Sequence, residues 1–322
     1  MTRRIFSDLL EGLQRDFEVI DNQDDRIWSD GELQARLSQA DAVLVDPARA
    51  VTDRLLSGCP RLRVVSNIAV GFNNIDLAAC TRLGIAATNT PDVLNEATAD
   101  HAWALMLAAA RRVAEGDRWT RAGRWLGFAY DSFLGVDVHG ATLGILGMGR
   151  IGRAVAQRAL GFSMPVLYHN RTKLPPEEGR APAPAWVERA ELLARADFLV
   201  LTIPYSTDTH HLIGAAELAQ MKPGSVLVNI ARGGIVDDAA LIEALRSGRP
   251  GAAGLDVMEN EPQLNPGLLS LENAVLTPHI GSATLSSRRG MVALAIDNLR
   301  QVLAGRRPPA LVNPAVWDRR RI

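Results

Sequence analysis

The chain has 322 residues, a formal net charge of -1 and 47% hydrophobic residues. This length favours two domains over a single hydrophobic core, and the composition is that of an ordinary globular protein. Balanced charge gives no electrostatic footprint for nucleic acid, and no apolar run approaches the length of a membrane span. We therefore expect a cytoplasmic protein with neither a nucleic-acid nor a membrane partner.

The first hundred residues alternate between short apolar runs and helical stretches. The apolar runs predict strands at residues 42–45, 62–68 and 85–88. Strands that alternate with helices are typical of βαβ units and a parallel sheet. The next segment, 97–113, is rich in Ala, Leu and Met and has neither Gly nor Pro. It predicts one uninterrupted helix.

A second series of strands follows that helix, at residues 142–146, 166–168, 198–202, 225–230, 252–257 and 274–277. Six strands with intervening helices predict a complete doubly wound sheet of the Rossmann type. A further helix is expected at 288–303. The Pro-rich end, 308–314, is expected to return to the first domain.

The predicted fold class is thus α/β, with two doubly wound parallel-sheet domains and a cleft between them. A flavodoxin-like substrate domain is assigned to residues 1–98 and 286–322, and a Rossmann cofactor domain to residues 99–285. One internal repeat supports related domains, since the segment NIAVG that ends at Gly71 resembles NIARG, which ends at Gly233. The two copies differ at Val70 and Arg232.

A glycine motif follows the predicted strand at 142–146. Gly147, Gly149 and Gly152 match the pattern G-x-G-x-x-G, and the helix that they open begins at Arg150. The first glycine makes a tight turn, the second lets backbone approach a pyrophosphate, and the third lets the helix pack on the strand. Free N–H groups at a helix N-terminus favour phosphate, so this strand–glycine–helix order predicts a dinucleotide site.

The next strand ends in residues that bear on cofactor choice. Asn170 lies 18 residues beyond the last glycine, near the offset where an NAD-selective site usually carries Asp or Glu. Arg171 could pair with a 2′-phosphate, Thr172 could donate a hydrogen bond to it, and Lys173 adds a cation. The sequence predicts NADP(H) as the preferred cofactor and NAD(H) as the alternative. A merely solvated loop at Arg171 and Lys173 is the competing interpretation.

Three strand ends of the second series carry a cation, carboxylates and an imidazole: Arg232, Glu259 with Glu261, and His279. Ligands of open α/β sheets bind beyond the carboxyl ends of the strands, so these groups are expected to converge. Arg suits the carboxylate and carbonyl of a 2-keto acid, and a protonated His can give its proton to the carbonyl oxygen during hydride transfer. A carboxylate on the other ring nitrogen would orient that imidazole. Spacing alone leaves Glu259 and Glu261 both open for this task.

The other histidines and the cysteines predict no metal site. The adjacent pair His210 and His211 could suggest one, but neighbours in sequence seldom face a single site. Cys59 and Cys80 lack companion ligands, which predicts buried, reduced thiols. The remaining histidines show no set of partners: His101, His139 and His169.

These motifs together resemble the D-2-hydroxyacid dehydrogenase family from about Ala42 to Pro314. The resemblance rests on four segments in order: GMGRIG at 147–152, VNIARGGIVD at 228–237, GLDV at 254–257 and PHIGSAT at 278–284. It implies an NAD(P)-dependent enzyme that reduces a small 2-keto acid by hydride transfer. Phe133–Gly140 (FLGVDVHG) and the ending LVNP at 311–314 look like the glyoxylate/hydroxypyruvate reductase branch, which includes 2-ketogluconate reductases.

The resemblance also assigns residues. Arg232, Glu261 and His279 take the catalytic places, which selects Glu261 over Glu259. Val70 and Gly71 match the loop whose backbone N–H groups hold the substrate carboxylate, beside Arg232 and His279. The cofactor-binding residues that the resemblance implies are Thr98, Gly147, Gly149, Arg150, Ile151, Gly152, Asn170, Arg171, Thr172, Ile203, Pro204, Thr209, Ile230, Ala231, Asp256 and Gly281.

The family resemblance further implies a homodimer, with a dimerisation segment at about residues 99–140. Five aromatic residues fall in the later part of that segment, Trp119, Trp125, Phe128, Tyr130 and Phe133. They are expected either to pack in an interface or to place one ring in the partner's active site. The alternative function is a dehydrogenase-fold nucleotide-binding protein that acts by association, as corepressors do, because a fold does not fix a function.

Overall fold

A computed structural model describes residues 1–175 and 183–322. The chain divides into two compact units, Met1–Leu94 with Thr284–Ile322, and Asn95–Ala283. Each unit contains one parallel sheet against which helices pack. The predicted α/β class with two parallel-sheet units is therefore confirmed.

The helices, in chain order, are α1 (Ser7–Gln14), α2 (Asp30–Leu37), α3 (Asp53–Ser57), α4 (Leu77–Arg82), α5 (Asn95–Ala110), α6 (Val113–Arg121), α7 (Arg150–Arg158), α8 (Arg189–Arg195), α9 (Ala215–Leu218), α10 (Asp238–Ser247), α11 (Pro266–Leu269) and α12 (Leu285–Leu303). Short 3-10 helices lie at Ala159–Phe162, Thr207–Thr209 and Pro314–Arg319. The strands are β1 (Ala42–Val45), β2 (Val64–Asn67), β3 (Ala86–Thr88), β4 (Leu143–Leu146), β5 (Val166–His169), β6 (Ala185–Trp186), β7 (Phe198–Leu201), β8 (Val226–Asn229), β9 (Ala252–Leu255) and β10 (Ala274–Leu276).

The first unit contains a three-stranded parallel sheet in the order β1-β2-β3. Helix α12, from the end of the chain, packs on all three strands, and its buried face contributes Val292, Ala295 and Leu299 to their core. The three predicted strands are present within their predicted ranges. The two cysteines are buried free thiols in this unit.

The second unit contains a seven-stranded parallel sheet in the order β10-β9-β8-β7-β4-β5-β6. Alternate residues of each strand enter different cores: Phe198 and Val200 belong to one, and Leu199 and Leu201 to the other. Burial on both faces explains why these strands are continuous apolar runs. All six predicted strands are present. The two-residue strand β6 was not predicted, because so short a run carries no periodic signal.

The helix predicted over 97–113 is interrupted. Helix α5 ends at Ala110, and Arg112 takes a left-handed backbone conformation, φ +53°, before α6 begins. The carbonyl oxygen of Ala110 accepts the N–H of Val136, 3.0 Å away, instead of continuing the helical ladder. Long-range packing of 135–136 therefore ends a helix that local propensity would extend. Across the described residues, none of the helices has the length and apolar character to cross a membrane.

Candidate active site

The glycine motif forms a tight connection between β4 and α7. Gly147 has φ +107°, and a Cβ there would lie 2.8 Å from Cγ2 of Ile203. A Cβ on Gly152 would lie 2.2 Å from the carbonyl oxygen of Gly147. Gly149, by contrast, faces open space, with nothing within 4 Å of a Cβ placed on it. Two glycines are thus required by packing, and the third leaves room for a ligand.

The N-terminus of α7 is suited to a pyrophosphate. Gly149 is its N-cap, and no side chain caps the first turn. Amide N–H groups at such a terminus carry partial positive charge and favour phosphate. The open side of Gly149 and these N–H groups together fit the pyrophosphate of a dinucleotide.

The residues after β5 close the glycine loop from the other side. The Asn170 side-chain oxygen accepts the backbone N–H of Met148 at 2.6 Å, and the His169 carbonyl accepts that of Gly147 at 3.0 Å. Asn170 therefore helps to fix the glycine loop through its side-chain oxygen. Arg171 and Thr172 follow it and are exposed.

An imidazole–carboxylate pair lies beyond β9 and β10. His279 Nδ1 is 2.8 Å from Oε2 of Glu261, and Oε1 of the same carboxylate accepts the N–H of Met258, also at 2.8 Å. A carboxylate partner requires a proton on Nδ1, which leaves Nε2 for a substrate. Glu259 contacts a different imidazole, since its Oε1 lies 2.7 Å from Nε2 of His211. The geometry thus separates the two carboxylates that spacing left open.

Arg232 lies in the loop after β8, which Asn229 holds in place. The buried Asn229 side chain donates to the carbonyl of Arg232 at 3.0 Å and accepts the N–H of Ala231 at 3.1 Å. Burial lowers the pKa of the Arg232 guanidinium, and the nearby Glu261 carboxylate opposes that shift. Arginine nevertheless stays protonated at physiological pH.

Gly233 couples the loops that carry Arg232 and Glu261. A Cβ on Gly233 would lie 1.8 Å from the carbonyl oxygen of Met258, which is a backbone atom. Only glycine lets the two loops approach this closely. The contact therefore sets the spacing between the guanidinium-bearing loop and the carboxylate-bearing loop.

Asp256 organises the backbone on both sides of His279. It is 1% exposed, and its carboxylate accepts the N–H of Ile280 at 2.8 Å and that of Gly281 at 2.7 Å. The Thr277 hydroxyl donates to it at 2.7 Å. Burial alone would raise the pKa of Asp256, but these hydrogen bonds and one from His101 outweigh it and hold the pKa below its ordinary value.

His101 was not predicted from the sequence to have hydrogen-bond partners. Its Nε2 lies 3.2 Å from Oδ1 of Asp256 and 3.0 Å from the hydroxyl of Thr277, so the expectation that it lacks partners is wrong. Helix α5 brings it to these partners across a sequence separation of 155 residues. The signal available in the sequence was a histidine directly before the apolar run 102–110 of α5.

The adjacent histidines also differ from expectation. The rings of His210 and His211 stack with centroids 3.9 Å apart, and potential ligand atoms of the two histidines and Glu259 lie within 4.8 Å of one another. These neighbouring histidines therefore lie side by side instead of facing different sites. A left-handed backbone conformation at His211, φ +51°, accompanies this arrangement.

Val70 and Gly71 lie after β2, in the first unit. Asn89 donates to the carbonyl of Val70 and Asn67 to that of Gly71, both at 2.8 Å. Neither N–H of the pair donates to an acceptor within residues 1–175 and 183–322. The backbone is held through its carbonyls, which leaves the N–H groups for an anion. Asn67 closes its loop as Asn229 closes the corresponding one, which matches the repeat seen in the sequence.

The other predicted cofactor residues lie around the same sheet edge of the second unit. Thr98 approaches within 3.5 Å of a Cβ placed on Gly281. Thr209 donates its hydroxyl to the carbonyl of Pro204 at 3.0 Å, so these two residues form one turn after β7. The remaining ones are Arg150 and Ile151 in the first turn of α7, Ile203 after β7, and Ile230 and Ala231 after β8.

Residues 113–137 of the predicted dimerisation segment are largely exposed, whereas the part that lies in α5 is mostly buried. Helix α6 buries none of its residues. Trp125, Phe128 and Tyr130 are 69%, 82% and 91% exposed, and Leu126 is 95% exposed. So large an apolar surface is unusual for an isolated monomer and is typical of an interaction site.

Sequence and structure comparisons agree on one family. Residues 103–281 match the family described as D-isomer specific 2-hydroxyacid dehydrogenase, NAD binding domain. A glyoxylate reductase of Thermococcus gammatolerans is 46% identical over 98% of this chain and 96% of its own length. A glyoxylate/hydroxypyruvate reductase B of Yersinia pestis is also 46% identical, over the same shares.

A solved structure shows the same architecture. It is an NADPH-dependent glyoxylate/hydroxypyruvate reductase of Sinorhizobium meliloti, crystallised with NADP and malonate. Its TM-score against this chain is 0.87 at 32% identity, with 99% of this chain and 98% of the other covered.

Proposed function

Because the chain belongs to the D-isomer specific 2-hydroxyacid dehydrogenase family, we propose that it reduces glyoxylate and hydroxypyruvate to their 2-hydroxy acids, with NADPH as the preferred cofactor. It is an NAD(P)-dependent oxidoreductase. The observation that carries the proposed reaction is the His279–Glu261 pair beside Arg232. 2-Ketogluconate, which has the same carboxylate and ketone, is the next candidate substrate.

The chemistry assigns each residue one task. The reduced nicotinamide, when bound, supplies the hydride. Arg232 holds the carboxylate and carbonyl oxygens of the keto acid. His279 donates a proton from Nε2 to the carbonyl oxygen as negative charge develops there. Glu261, on Nδ1, keeps the imidazole oriented.

The proposed preference for NADPH rests on the strand end after β5. A carboxylate at this position would repel a 2′-phosphate, but here Asn170 uses its side-chain oxygen on the glycine loop. The exposed Arg171 that follows can pair with the phosphate, and Thr172 can donate to it. Arg171 should therefore matter for NADPH and not for NADH.

We also propose that the chain forms a homodimer through α6 and residues 122–137. Burying the exposed aromatic side chains of this segment would remove a large apolar area from water. Sedimentation velocity tests this directly. A Tyr130→Glu variant should shift the protein towards the monomer, because it places a charge in the buried area.

The decisive experiment follows NADPH and NADH oxidation with glyoxylate, hydroxypyruvate and 2-ketogluconate. A kcat/KM preference for NADPH of about tenfold corresponds to about 1.4 kcal/mol of transition-state binding. Arg171→Ala should lose at least about tenfold in kcat/KM with NADPH and little with NADH. Arg246→Ala, an exposed arginine on α10, serves as the control.

The outcomes separate the parts of the proposal. Equal use of both cofactors by wild type and Arg171→Ala would mean that the loop at Arg171 is only solvated. Absence of turnover with all three acids, with cofactor binding intact, would favour a different keto acid as the substrate. The relatives named above are reductases, which favours turnover.

A further inference from the structure

Three metal-ligating side chains converge on the second unit apart from the proposed catalytic pair. His210, His211 and Glu259 each offer one ligand atom, and these atoms all lie within 4.8 Å of one another. They come from two loops, since the histidines follow the 3-10 helix Thr207–Thr209 and Glu259 follows β9. The cluster is not needed for hydride transfer, because His279 and Glu261 form their own pair.

The surroundings orient the three donors. The Tyr205 hydroxyl lies 3.2 Å from Nδ1 of His210 and orients that ring. Nε2 of His211 already points at Oε1 of Glu259, 2.7 Å away. The other carboxylate oxygen, Oε2, accepts the backbone N–H of Asp238 at 3.3 Å. Hydrogen bonds of this kind fix ligand orientation in metal sites.

Backbone packing places the cluster over a glycine. A Cβ on Gly234 would lie 3.1 Å from the Tyr205 ring, 3.5 Å from His210 Nδ1 and 3.9 Å from Glu259 Oε1. The N–H of His211 donates to the carbonyl of Gly234 at 2.7 Å. The side chains of His210 and Glu259 therefore approach Gly234, and a backbone hydrogen bond holds His211 to the same residue.

Local charge favours a cation. Oδ2 of Asp237 lies 3.8 Å from Nδ1 of His211, and Oδ2 of Asp238 accepts the backbone N–H of Glu259 at 3.1 Å. Together with Glu259, three carboxylates surround the two imidazoles. Coulomb attraction of a divalent ion to such a set is strong at short range.

We propose that His210, His211 and Glu259 bind one divalent transition-metal ion of the Zn²⁺, Co²⁺ or Ni²⁺ class. Two imidazoles and one carboxylate form a common three-ligand set for Zn²⁺, with water in the fourth position. The ion takes the place of the proton shared by His211 and Glu259. Because tetrahedral metal–ligand bonds of about 2.0–2.2 Å hold the ligand atoms roughly 3.3–3.5 Å apart, the 2.7 Å contact of His211 and Glu259 must open and the more distant donors must approach. The two exposed imidazoles must rotate out of their stack to direct both ring nitrogens at the ion.

The bound ion joins the loop at 205–211 to the loop at 258–261. The first contains the predicted cofactor residue Thr209, and the second contains Glu261. Occupancy should therefore stabilise this edge of the sheet, as any ligand that binds the folded state does. The ion takes no part in the proposed reaction.

Metal binding is measured without substrate or cofactor. Chelator-treated protein is titrated with Co²⁺, whose visible absorption intensifies in a four-coordinate site, and Zn²⁺ affinity is obtained by competition with a chromophoric chelator. We expect one ion per chain and a higher Tm with Zn²⁺. His210→Ala should weaken binding at least about tenfold. It keeps the His211–Glu259 pair, so the loop should stay folded.

His139→Ala is the matched control, because His139 is another exposed histidine of the same unit. It should bind Zn²⁺ as wild type does. The proposal is overturned if His210→Ala binds as tightly as wild type, if both alanine variants lose affinity equally, or if wild type gives no Co²⁺ spectrum beyond that of the aqueous ion. A circular dichroism spectrum of each variant verifies its fold.

Discussion

Replacing Gly233 by alanine should uncouple the loops of Arg232 and Glu261. The backbone of Gly233 is not left-handed, so an alanine meets no conformational penalty there. Its Cβ would meet the Met258 carbonyl oxygen at 1.8 Å, below the 3.0 Å that real Cβ atoms respect. The substitution therefore tests steric spacing alone.

The size of the effect follows from that clash. One loop must retreat by more than about 1 Å, and a displacement of this size at reacting groups costs about 100-fold in rate. That corresponds to about 2.7 kcal/mol of activation free energy. The free energy of unfolding should fall by about 1–3 kcal/mol, as is usual for an overpacked site. Glu261 moves with Met258 because its Oε1 accepts the Met258 N–H.

Steady-state kinetics with glyoxylate and a fluorescence titration of NADPH distinguish the two consequences. We expect kcat to fall and cofactor affinity to persist, because the glycine loop at 147–152 is untouched. Gly161→Ala is the control, since a Cβ there meets nothing within 4 Å. A Gly233→Ala enzyme with kcat within about threefold of wild type would refute the argument that this contact sets the loop spacing.

Four further substitutions test other contacts. Glu261→Gln should lower kcat by about 10²–10³-fold because an amide stabilises a protonated imidazole poorly. Glu259→Gln should change kcat little, because Glu259 contacts His211 instead of His279. Equal losses of kcat in the two variants would contradict the assignment of Glu261. Asp256→Asn should cost about 2–5 kcal/mol of unfolding free energy near neutral pH. Because folding lowers the pKa of Asp256, its contribution to the free energy of unfolding is present above the ordinary pKa of 3.8 and is lost as pH falls through the lower folded pKa. Urea denaturation should therefore show the stability of the variant approaching that of wild type in this acidic range. A difference that stays constant with pH would disprove the argument. Ser29→Ala should cost about 1 kcal/mol in the same assay, because Ser29 and Glu32 form a capping box at the start of α2, and unchanged stability would count against that cap.

Much of the fold could be predicted because its signals are local. Apolar runs marked the strands of both sheets, and the glycine motif marked the turn from β4 to α7. The interruption at Arg112 could not be predicted, since residues 135–136 end α5 through a contact more than twenty residues away. Strand β6 was not predicted because its two residues are too few to show a hydrophobic pattern.

The candidate site likewise contains residues that local motifs predict and contacts that they do not. Motif order identified Arg232, Glu261 and His279, and residue spacing alone could not choose between Glu259 and Glu261. The three-dimensional structure shows that Glu261 faces His279 and Glu259 faces His211, which spacing along the chain cannot reveal. His101 could not be assigned for a related reason, since its partner Asp256 is 155 residues away in sequence.

The hydrogen bonds of Asp256 bear on whether the His279 segment can be moved between proteins. His279 has a left-handed backbone, φ +53°, and its N–H donates to the Asp256 carbonyl, while the carboxylate of Asp256 receives the next two N–H groups. The conformation of the His279 loop thus depends on Asp256, which directly follows a different strand, β9. A designer who grafts PHIG onto another scaffold must also place an aspartate at the end of the neighbouring strand. Without that aspartate, the backbone of the grafted segment will not hold the imidazole in the same orientation.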